Sequence, residues 1–206
     1  MKAKSDGIPS LVAYKLRNSL YLNITNRCIL KCTFCPKWES FMLGDYDLRL
    51  KKEPTVEEVI EAVGDPSPYD EIVFVGFGEP LLRVNVVREV SRILKEKGAK
   101  KIRIDTDGLA NLVHKRNVLP ELNGLVDAIS ISLNAQDAET YSRICPSKYG
   151  SQAYYAVLDF IKEAKKHIPD VTASVVTVPE VDVDRCREIV EGLGVRFRAR
   201  VYGILG

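Results

Sequence analysis

The first group of residues able to do chemistry is a set of three cysteines near the start of the chain, Cys28, Cys32 and Cys35. With three and then two residues between them, their thiols can converge from one loop on a compact metal centre. Thiolates are soft ligands that suit iron–sulfur clusters and zinc. A cubane cluster has four irons, so three cysteines would leave one iron free to bind a small molecule. A structural zinc site is the alternative, and its fourth ligand would come from Cys145, Cys186, His114 or His167.

A second candidate motif follows an apolar run at residues 71–76. Gly76 and Gly78 would let the backbone approach a ligand closely, and Glu79 would place a carboxylate near a cationic group. A strand-to-helix turn that begins with Glu79 and Pro80 explains the same residues without a ligand. The motif therefore has both a binding and a purely structural interpretation.

Two later apolar runs also end in polar residues. One carries two carboxylates and a hydroxyl, which would orient a ligand at a strand end or cap a turn: Asp105, Thr106 and Asp107. The other places three small polar side chains on one face of a strand by alternation: Ser130, Ser132 and Asn134. Buried groups of this kind need hydrogen-bond partners, which would be backbone, water or a ligand.

The elements that must position these residues alternate between β-rich runs and helix-period segments, which indicates a parallel sheet covered by helices. The predicted strands span residues 20–25, 71–76, 101–106, 128–133, 171–178 and 196–202. Helices are predicted after a Thr55 cap with Glu58, and at 84–97, 111–122, 154–167 and 182–193. We expect an α/β fold, an open three-quarter (β/α)6 partial TIM barrel with parallel strands in a single domain. Residues 1–19 are predicted as an N-terminal extension and 20–206 as the core domain.

Composition bounds the class of protein. The 206 residues are 46% hydrophobic and 28% charged, which fits one globular domain, and a net charge of +2 gives no strong attraction to nucleic acid or acidic membranes. No signal-peptide core or membrane-spanning run is apparent, so a cytoplasmic protein without a membrane partner is predicted. Five cysteines with three in one loop favour a reducing compartment over a disulfide framework, and oxygen is an expected hazard.

The cysteine spacing, with Phe34 before the third cysteine, resembles the Cys-x3-Cys-x-aromatic-Cys signature of the radical S-adenosylmethionine (SAM) superfamily. Gly78, Glu79 and Pro80 resemble its Gly-Gly-Glu-Pro motif, with Phe77 in place of the first glycine. The resemblance implies a [4Fe-4S] cluster on the three cysteines and reductive cleavage of SAM to a 5′-deoxyadenosyl radical, which abstracts hydrogen from a substrate. It also implies cosubstrate contacts from Phe34, Gly78, Glu79, Pro80, Asp105, Thr106, Asp107, Ser132 and Asn134.

Longer segments, at residues 69–74, 105–117 and 130–135, resemble the radical SAM proteins associated with TatD-type hydrolases. This resemblance covers most of the chain, from about residue 21 to 203. It implies a minimal radical-enzyme core, an electron donor such as flavodoxin or ferredoxin, and a functional link to a TatD-type hydrolase. The substrate stays open between a small molecule, a peptide or protein, and a nucleic acid. The alternative to an enzyme is a zinc-stabilised binding module.

Three further features have open interpretations. Arg196, Arg198 and Arg200 share one face of the last strand, where they would form ion pairs, cover a barrel edge or bind an anion. Cys145 is either a passive thiol or a redox group, whereas Cys186 in an amphipathic helix resembles a small buried hydrophobe. Residues 38–46 are either a loop that covers the metal centre or an extension of the first helix.

Overall fold

The computed structural model describes residues 11–203, which form one main sheet of seven strands and a small hairpin. The strands are β1 (Ala13–Leu16), β2 (Ser19–Leu22), β3 (Met42–Leu43), β4 (Tyr46–Asp47), β5 (Glu71–Phe74), β6 (Ile102–Thr106), β7 (Ala128–Ser132), β8 (Asp170–Thr177) and β9 (Arg196–Val201). The helices are α1 (Val56–Val63), α2 (Val84–Glu96), α3 (Ala110–His114), α4 (Ala138–Ile144), α5 (Gln152–Ala164) and α6 (Val183–Gly192).

The main sheet has the order β1-β2-β5-β6-β7-β8-β9. Every neighbouring pair from β2 to β9 is parallel, and only the β1–β2 pair is antiparallel. Within the described residues β1 and β9 are the two edges, so the sheet does not close. The predicted class, an open partial TIM barrel of six parallel strands in a single α/β domain, is confirmed.

Alternation along the strands separates an apolar outer face from a polar inner face. On β6, Ile102 and Ile104 are fully buried in the core shared with the helices, whereas Arg103 and Asp105 point to the inner face. The helices contribute the matching apolar residues, for example Val87 of α2. Because parallel strands end at the same rim, the loops after β2, β5, β6 and β7 lie together at one end of the barrel.

Local signals read from the sequence explain where several helices begin. Thr55 caps α1 as predicted: its hydroxyl accepts from the Glu58 amide at 3.2 Å, and the Glu58 carboxylate accepts from the Thr55 amide at 2.9 Å. Asp182 caps α6 through the amide of Arg185. These reciprocal bonds satisfy amides that the first turn of a helix leaves without partners.

The structure departs from the sequence predictions in three places. The N-terminal hairpin of β1 and β2 and the β3–β4 hairpin were not predicted, because strands of two to four residues carry little periodicity. Strand β2 ends at Leu22 rather than residue 25, although the amide of Asn23 still donates to Val12 O at 2.8 Å in the register of the β1–β2 pair. The predicted helix 111–122 is α3 followed by a separate 3-10 turn, with left-handed Lys115 (φ 54°) ending α3.

The proposed boundary after residue 19 stays a prediction, although β1 and Ser19 already pair within the sheet. None of the helices in residues 11–203 combines the length and apolar composition that crossing a bilayer requires.

Candidate metal centre and its surroundings

The cysteine loop follows β2 at the rim of the barrel, and all three of its cysteines are partly buried. It is fixed by backbone hydrogen bonds to the segment after α4: the amide of Lys31 donates to Pro146 O at 2.9 Å, and that of Thr33 to Ile144 O at 2.8 Å. Leu30 is buried in the core between the cysteines. The loop is thus held in place by the protein itself.

The surroundings of the thiols disfavour negative charge unless a cation is present. Burial and the carboxylate of Asp107, 3.9 Å from the Cys28 sulfur, raise the pKa of Cys28 to about 12. A hydrogen bond with Cys145 and burial raise the pKa of Cys32, and burial raises that of Cys35. A bound metal deprotonates a coordinating thiol by supplying the missing positive charge. A cationic iron centre therefore fits this donor set.

The three thiols do not converge on the position of a single ion. Among residues 11–203, no group of three His, Cys, Asp or Glu side chains is arranged to hold one metal ion. A cubane cluster takes its cysteine ligands on separate irons, so it does not need the three thiols to meet at the position of one ion.

Glu79 lies beside the cysteine loop and is 3% exposed. Its carboxylate accepts from the Leu81 amide at 2.8 Å, the Thr106 hydroxyl at 2.8 Å and the Asp107 amide at 2.6 Å. Burial and the nearby Asp107 raise the pKa of Glu79, and burial raises the pKa of Asp107 to about 6. The structure therefore joins the predicted residues Glu79, Thr106 and Asp107 into one buried group next to Cys28.

Gly78 lets this group approach the cysteine loop. A side chain there would overlap the carbonyl oxygen of Thr25 and lie 2.7 Å from that of Arg27, closer than a Cβ atom packs against backbone. The Glu79 amide meanwhile donates to Arg27 O at 2.8 Å. Pro80 is buried and begins a 3-10 turn, where it needs no amide hydrogen.

The aromatic residues near these motifs have packing roles. Phe77, in place of the motif's first glycine, contacts the ring of Phe41 edge to face at 5.8 Å. Phe34 is partly buried against the main core. Residues 38–46 run from the end of a short 3-10 helix (Pro36–Trp38) into the β3–β4 hairpin rather than extending α1, and the hydroxyl of Tyr46 donates to Lys15 O at 3.1 Å. This segment is tied to β1, while Trp38 and Met42 remain exposed.

Asn134 follows β7 and faces the metal-centre loop. It is 4% exposed and has left-handed backbone geometry (φ 60°), which asparagine tolerates better than most residues. Its side-chain nitrogen lies 3.7 Å from the sulfur of Cys145, whereas its buried Oδ1 has no hydrogen-bond partner in the described residues. An orphaned buried acceptor is costly, so a ligand with a donor would be favoured there.

Ser132 and Asp105 belong to a different group, on the inner face of the sheet. Asp105 pairs with Arg103, which also pairs with Glu71 at 3.0 Å. The hydroxyl of Ser132 accepts from Arg200 at 3.3 Å. Within residues 11–203 neither side chain hydrogen-bonds to the Glu79 group, and their contact with the same cosubstrate stays a prediction.

The arginine face of β9 has several partners. Arg196 pairs with Asp170, as the ion-pair interpretation predicts, while the Nε of Arg200 is buried without a partner in residues 11–203. Below Arg200, a cavity of about 410 Å³ opens at the start of the strands. Its charged lining residues are Glu71, Lys101, Arg103, Asp170, Arg196 and Arg198.

The sequence left open whether Cys145 is a passive thiol or a redox group, and it gave no contact for the helix α4 that precedes it. Cys145 is 1% exposed, and its sulfur lies 3.4 Å from that of Cys32. Tyr141, one turn earlier, is fully buried with a hydroxyl that has no partner among the described residues. The only signal in the sequence was a spare cysteine beyond the fourth parallel strand. Cys186 is buried in α6, as expected of a small hydrophobe.

Comparison with known proteins decides the family. The model of the Radical SAM superfamily matches residues 22–193. The chain belongs to the radical SAM superfamily. The superfamily's cofactors, a [4Fe-4S] cluster and SAM, are accordingly those of this chain, and its relatives are enzymes.

The relatives differ in what their names say they do. The chain is 31% identical to a GTP 3′,8-cyclase of Lactiplantibacillus plantarum, over 80% of this chain and 47% of that protein. It is also 31% identical to a Methanocaldococcus jannaschii protein named as a glycyl-radical enzyme activating enzyme, over 88% of this chain and 71% of the relative. The chain spans less than half the length of the Lactiplantibacillus plantarum cyclase and of a GTP 3′,8-cyclase of Limosilactobacillus fermentum. A structure of Streptococcus suis SuiB bound to the precursor peptide SuiA shares the fold, with a TM-score of 0.65 at 15% identity over 90% of this chain and 39% of SuiB.

Proposed function

We propose that this chain cleaves SAM reductively at a [4Fe-4S] cluster held by Cys28, Cys32 and Cys35, and that it abstracts hydrogen from a substrate yet to be identified. The observation that carries the proposal is the meeting of three partly buried thiols with the Glu79 group at one rim of the barrel. When bound, the cluster supplies the electron that breaks the sulfonium bond of SAM.

The protein's own residues bind and orient the cosubstrate in this proposal. Glu79 accepts a hydrogen bond from the amino group of SAM. The hydroxyl of Thr106 and the amide of Asp107 hold the Glu79 carboxylate in place. The free Oδ1 of Asn134 accepts a second hydrogen bond. Gly78, Pro80 and Phe34 shape the walls, while Ser132 and Asp105 contact the parts of the ligand that extend over the inner face.

Anaerobic reconstitution tests the chemistry. We expect about four irons and four sulfides per chain, with 5′-deoxyadenosine formed from SAM under a strong reductant. Changing any one of Cys28, Cys32 or Cys35 to Ser should abolish both, whereas Cys186→Ser is the matched control and should retain both. One zinc and no iron after anaerobic isolation would contradict the proposal and favour a zinc-stabilised module.

The substrate is proposed to enter at the open side or the top of the barrel, at the end where the cysteine loop and the Glu79 group lie. Its class stays open between a small molecule, a peptide or protein, and a nucleic acid. A candidate labelled with deuterium at one carbon should transfer the label to 5′-deoxyadenosine. Retention of all label in the candidate would rule out that carbon.

Finer assignments also belong to this proposal. We assign the chain to the TatD-associated subgroup because of the sequence segments described above. The functional link to a TatD-type hydrolase depends on the same segments. We infer an electron donor such as flavodoxin or ferredoxin because the cluster must be reduced. We infer a cytoplasmic location because a reducing compartment keeps the thiols reduced. Co-purification of a TatD-type hydrolase with the tagged chain would support the link, and its absence from cross-linked complexes would weaken it.

A further inference from the structure

The last turn of α4 presents two buried side chains to the cysteine loop. Tyr141 and Cys145 are one helical turn apart, joined by the Cys145 amide donating to Tyr141 O at 2.7 Å, and side chains four residues apart lie on one face of a helix. Both side chains are at most 1% exposed. The backbone bonds from the cysteine loop to Ile144 and Pro146 fix this turn against the loop.

The contacts of Cys145 indicate which neighbouring atom its S–H group can donate to. Asn134 Nδ2 carries only donors, so at 3.7 Å it donates to the Cys145 sulfur. Without a metal the thiol of Cys32 donates to the sulfur of Cys145, 3.4 Å away; once a bound cluster removes the Cys32 proton, the S–H of Cys145 can donate to the Cys32 thiolate. A chain of hydrogen bonds thus runs from Asn134 through Cys145 to a proposed cluster ligand.

The hydroxyl of Tyr141 is a second donor at the same place. It is fully buried and has no partner within residues 11–203. Tyr141 lies on the same helix face as Cys145, and burial raises its pKa, so the phenol is a neutral donor. A buried hydroxyl without a partner is destabilising, so a bound acceptor at this position would be favoured.

We propose that Cys145 and Tyr141 donate hydrogen bonds to the sulfur atoms of the bound cluster and its ligand Cys32, and thereby raise the reduction potential of the cluster. This inference rests on the proposed function. Reduction adds negative charge to the cluster, and donors to its sulfurs stabilise that charge; such bonds are one of the determinants of cluster potentials. Both are positioning residues, since they act through the cluster and not on the substrate.

The test is the midpoint potential of the reconstituted protein, measured by an EPR-monitored redox titration without SAM. Cys145→Ala should make reduction about tenfold less favourable, a shift of about 59 mV to lower potential for one electron. Cys145→Ser keeps a donor and should lie between Cys145→Ala and the wild type. Tyr141→Phe should also shift the potential downward. The control Cys186→Ala loses a buried thiol elsewhere, on α6, and should not shift the potential. A second control, Tyr154→Phe, loses a hydroxyl that donates to Gln136 O, on a ring 5.9 Å from that of Tyr141, and should not shift it either.

Three results would overturn the inference. Unshifted potentials in Cys145→Ala and Tyr141→Phe, with iron content intact, would show that neither residue donates to the cluster. Equal shifts in the two controls would show a general effect of packing. Loss of iron in both Cys145→Ala and Cys145→Ser would make Cys145 a cluster ligand instead. Failure of the proposed function is distinguishable, because then the wild type itself would assemble no cluster.

Discussion

At the scale of single residues, the Glu79 carboxylate links the loop after β5 to the end of β6 through the Thr106 hydroxyl and the Asp107 amide. Replacing Glu79 by Gln removes the negative charge expected to bind the amino group of SAM but leaves all three cysteines. A hydrogen bond to a charged group is worth about 1.5–3 kcal/mol, so SAM affinity should fall about ten- to a hundredfold. Isothermal titration of the reconstituted, unreduced protein measures this. Glu163→Gln, at a surface carboxylate that pairs with Lys166, is the control. Unchanged affinity with an intact cluster would mean that Glu79 has no role in binding.

Asn134 combines an unusual backbone conformation with a free acceptor, and two variants separate these properties. Asn134→Ala and Asn134→Gly both remove the amide and should weaken SAM binding by a similar factor of about ten. Only alanine is strained at φ 60°, so Asn134→Ala should be less stable than Asn134→Gly by about 1 kcal/mol. Titration with SAM and urea unfolding of the cluster-free protein give the two quantities. Tight SAM binding by both variants would exclude a contact with Asn134.

Residue types were easier to predict than the contacts they make. The cysteine spacing and the Gly78-Glu79-Pro80 motif were visible in the sequence because each is contiguous. The approach of Cys145 to Cys32 spans 113 positions and depends on how α4 packs, so no local pattern reveals it. Ser132 and Asp105 have different hydrogen-bond partners from the Glu79 group, and this likewise depends on which face of a strand each residue occupies in the folded sheet.

At the scale of elements, the end of β5 must pass very close to the segment that precedes the cysteine loop. Gly78→Ala would force a methyl group into the carbonyl oxygens of Thr25 and Arg27, neither of which is a flexible side chain. We expect lower stability by about 1–3 kcal/mol and lower iron content after reconstitution, because the loop would have to move. Gly192→Ala is the control, since nothing lies within 4 Å of the added atom. Full iron loading and wild-type stability in Gly78→Ala would show that the approach is not required.

Element order was predictable where the hydrophobic pattern was long. The six parallel strands and the capped start of α1 follow from periodicity and from the Thr55–Glu58 pair. The short hairpins were not predictable in this way: β1 is fixed by its pairing with β2 and by Tyr14 stacking on Tyr21 at 5.5 Å. Such contacts are tertiary and leave no repeating signal in four residues.

At the scale of the whole molecule, the inner face of the open barrel is stabilised by charge pairing rather than by apolar packing. Arg103 links Glu71 on β5 with Asp105 on its own strand, and the side chains of Arg103 and Glu71 are less than a fifth exposed. Burial raises the pKa of Asp105, whereas Arg103 opposes that shift. This arrangement makes the stability of the barrel depend on pH when the cation is removed.

Replacing Arg103 by Met should leave two partly buried carboxylates without their main cation and lower the free energy of unfolding by about 3 kcal/mol at pH 7. The sign of the pH dependence follows from the pKa of Asp105. A carboxyl group whose folded pKa is raised favours the folded state at low pH and loses that contribution as pH rises through the folded pKa. Removing Arg103 raises this pKa further, so the variant should recover stability relative to the wild type as pH falls from 7 towards 4. Urea unfolding of the cluster-free proteins across this range measures the difference.

Arg92→Met on the exposed face of α2 should change stability by less than about 0.5 kcal/mol at every pH. A difference for Arg103→Met that is small, or that stays constant with pH, would show that solvent in the open barrel already screens these charges.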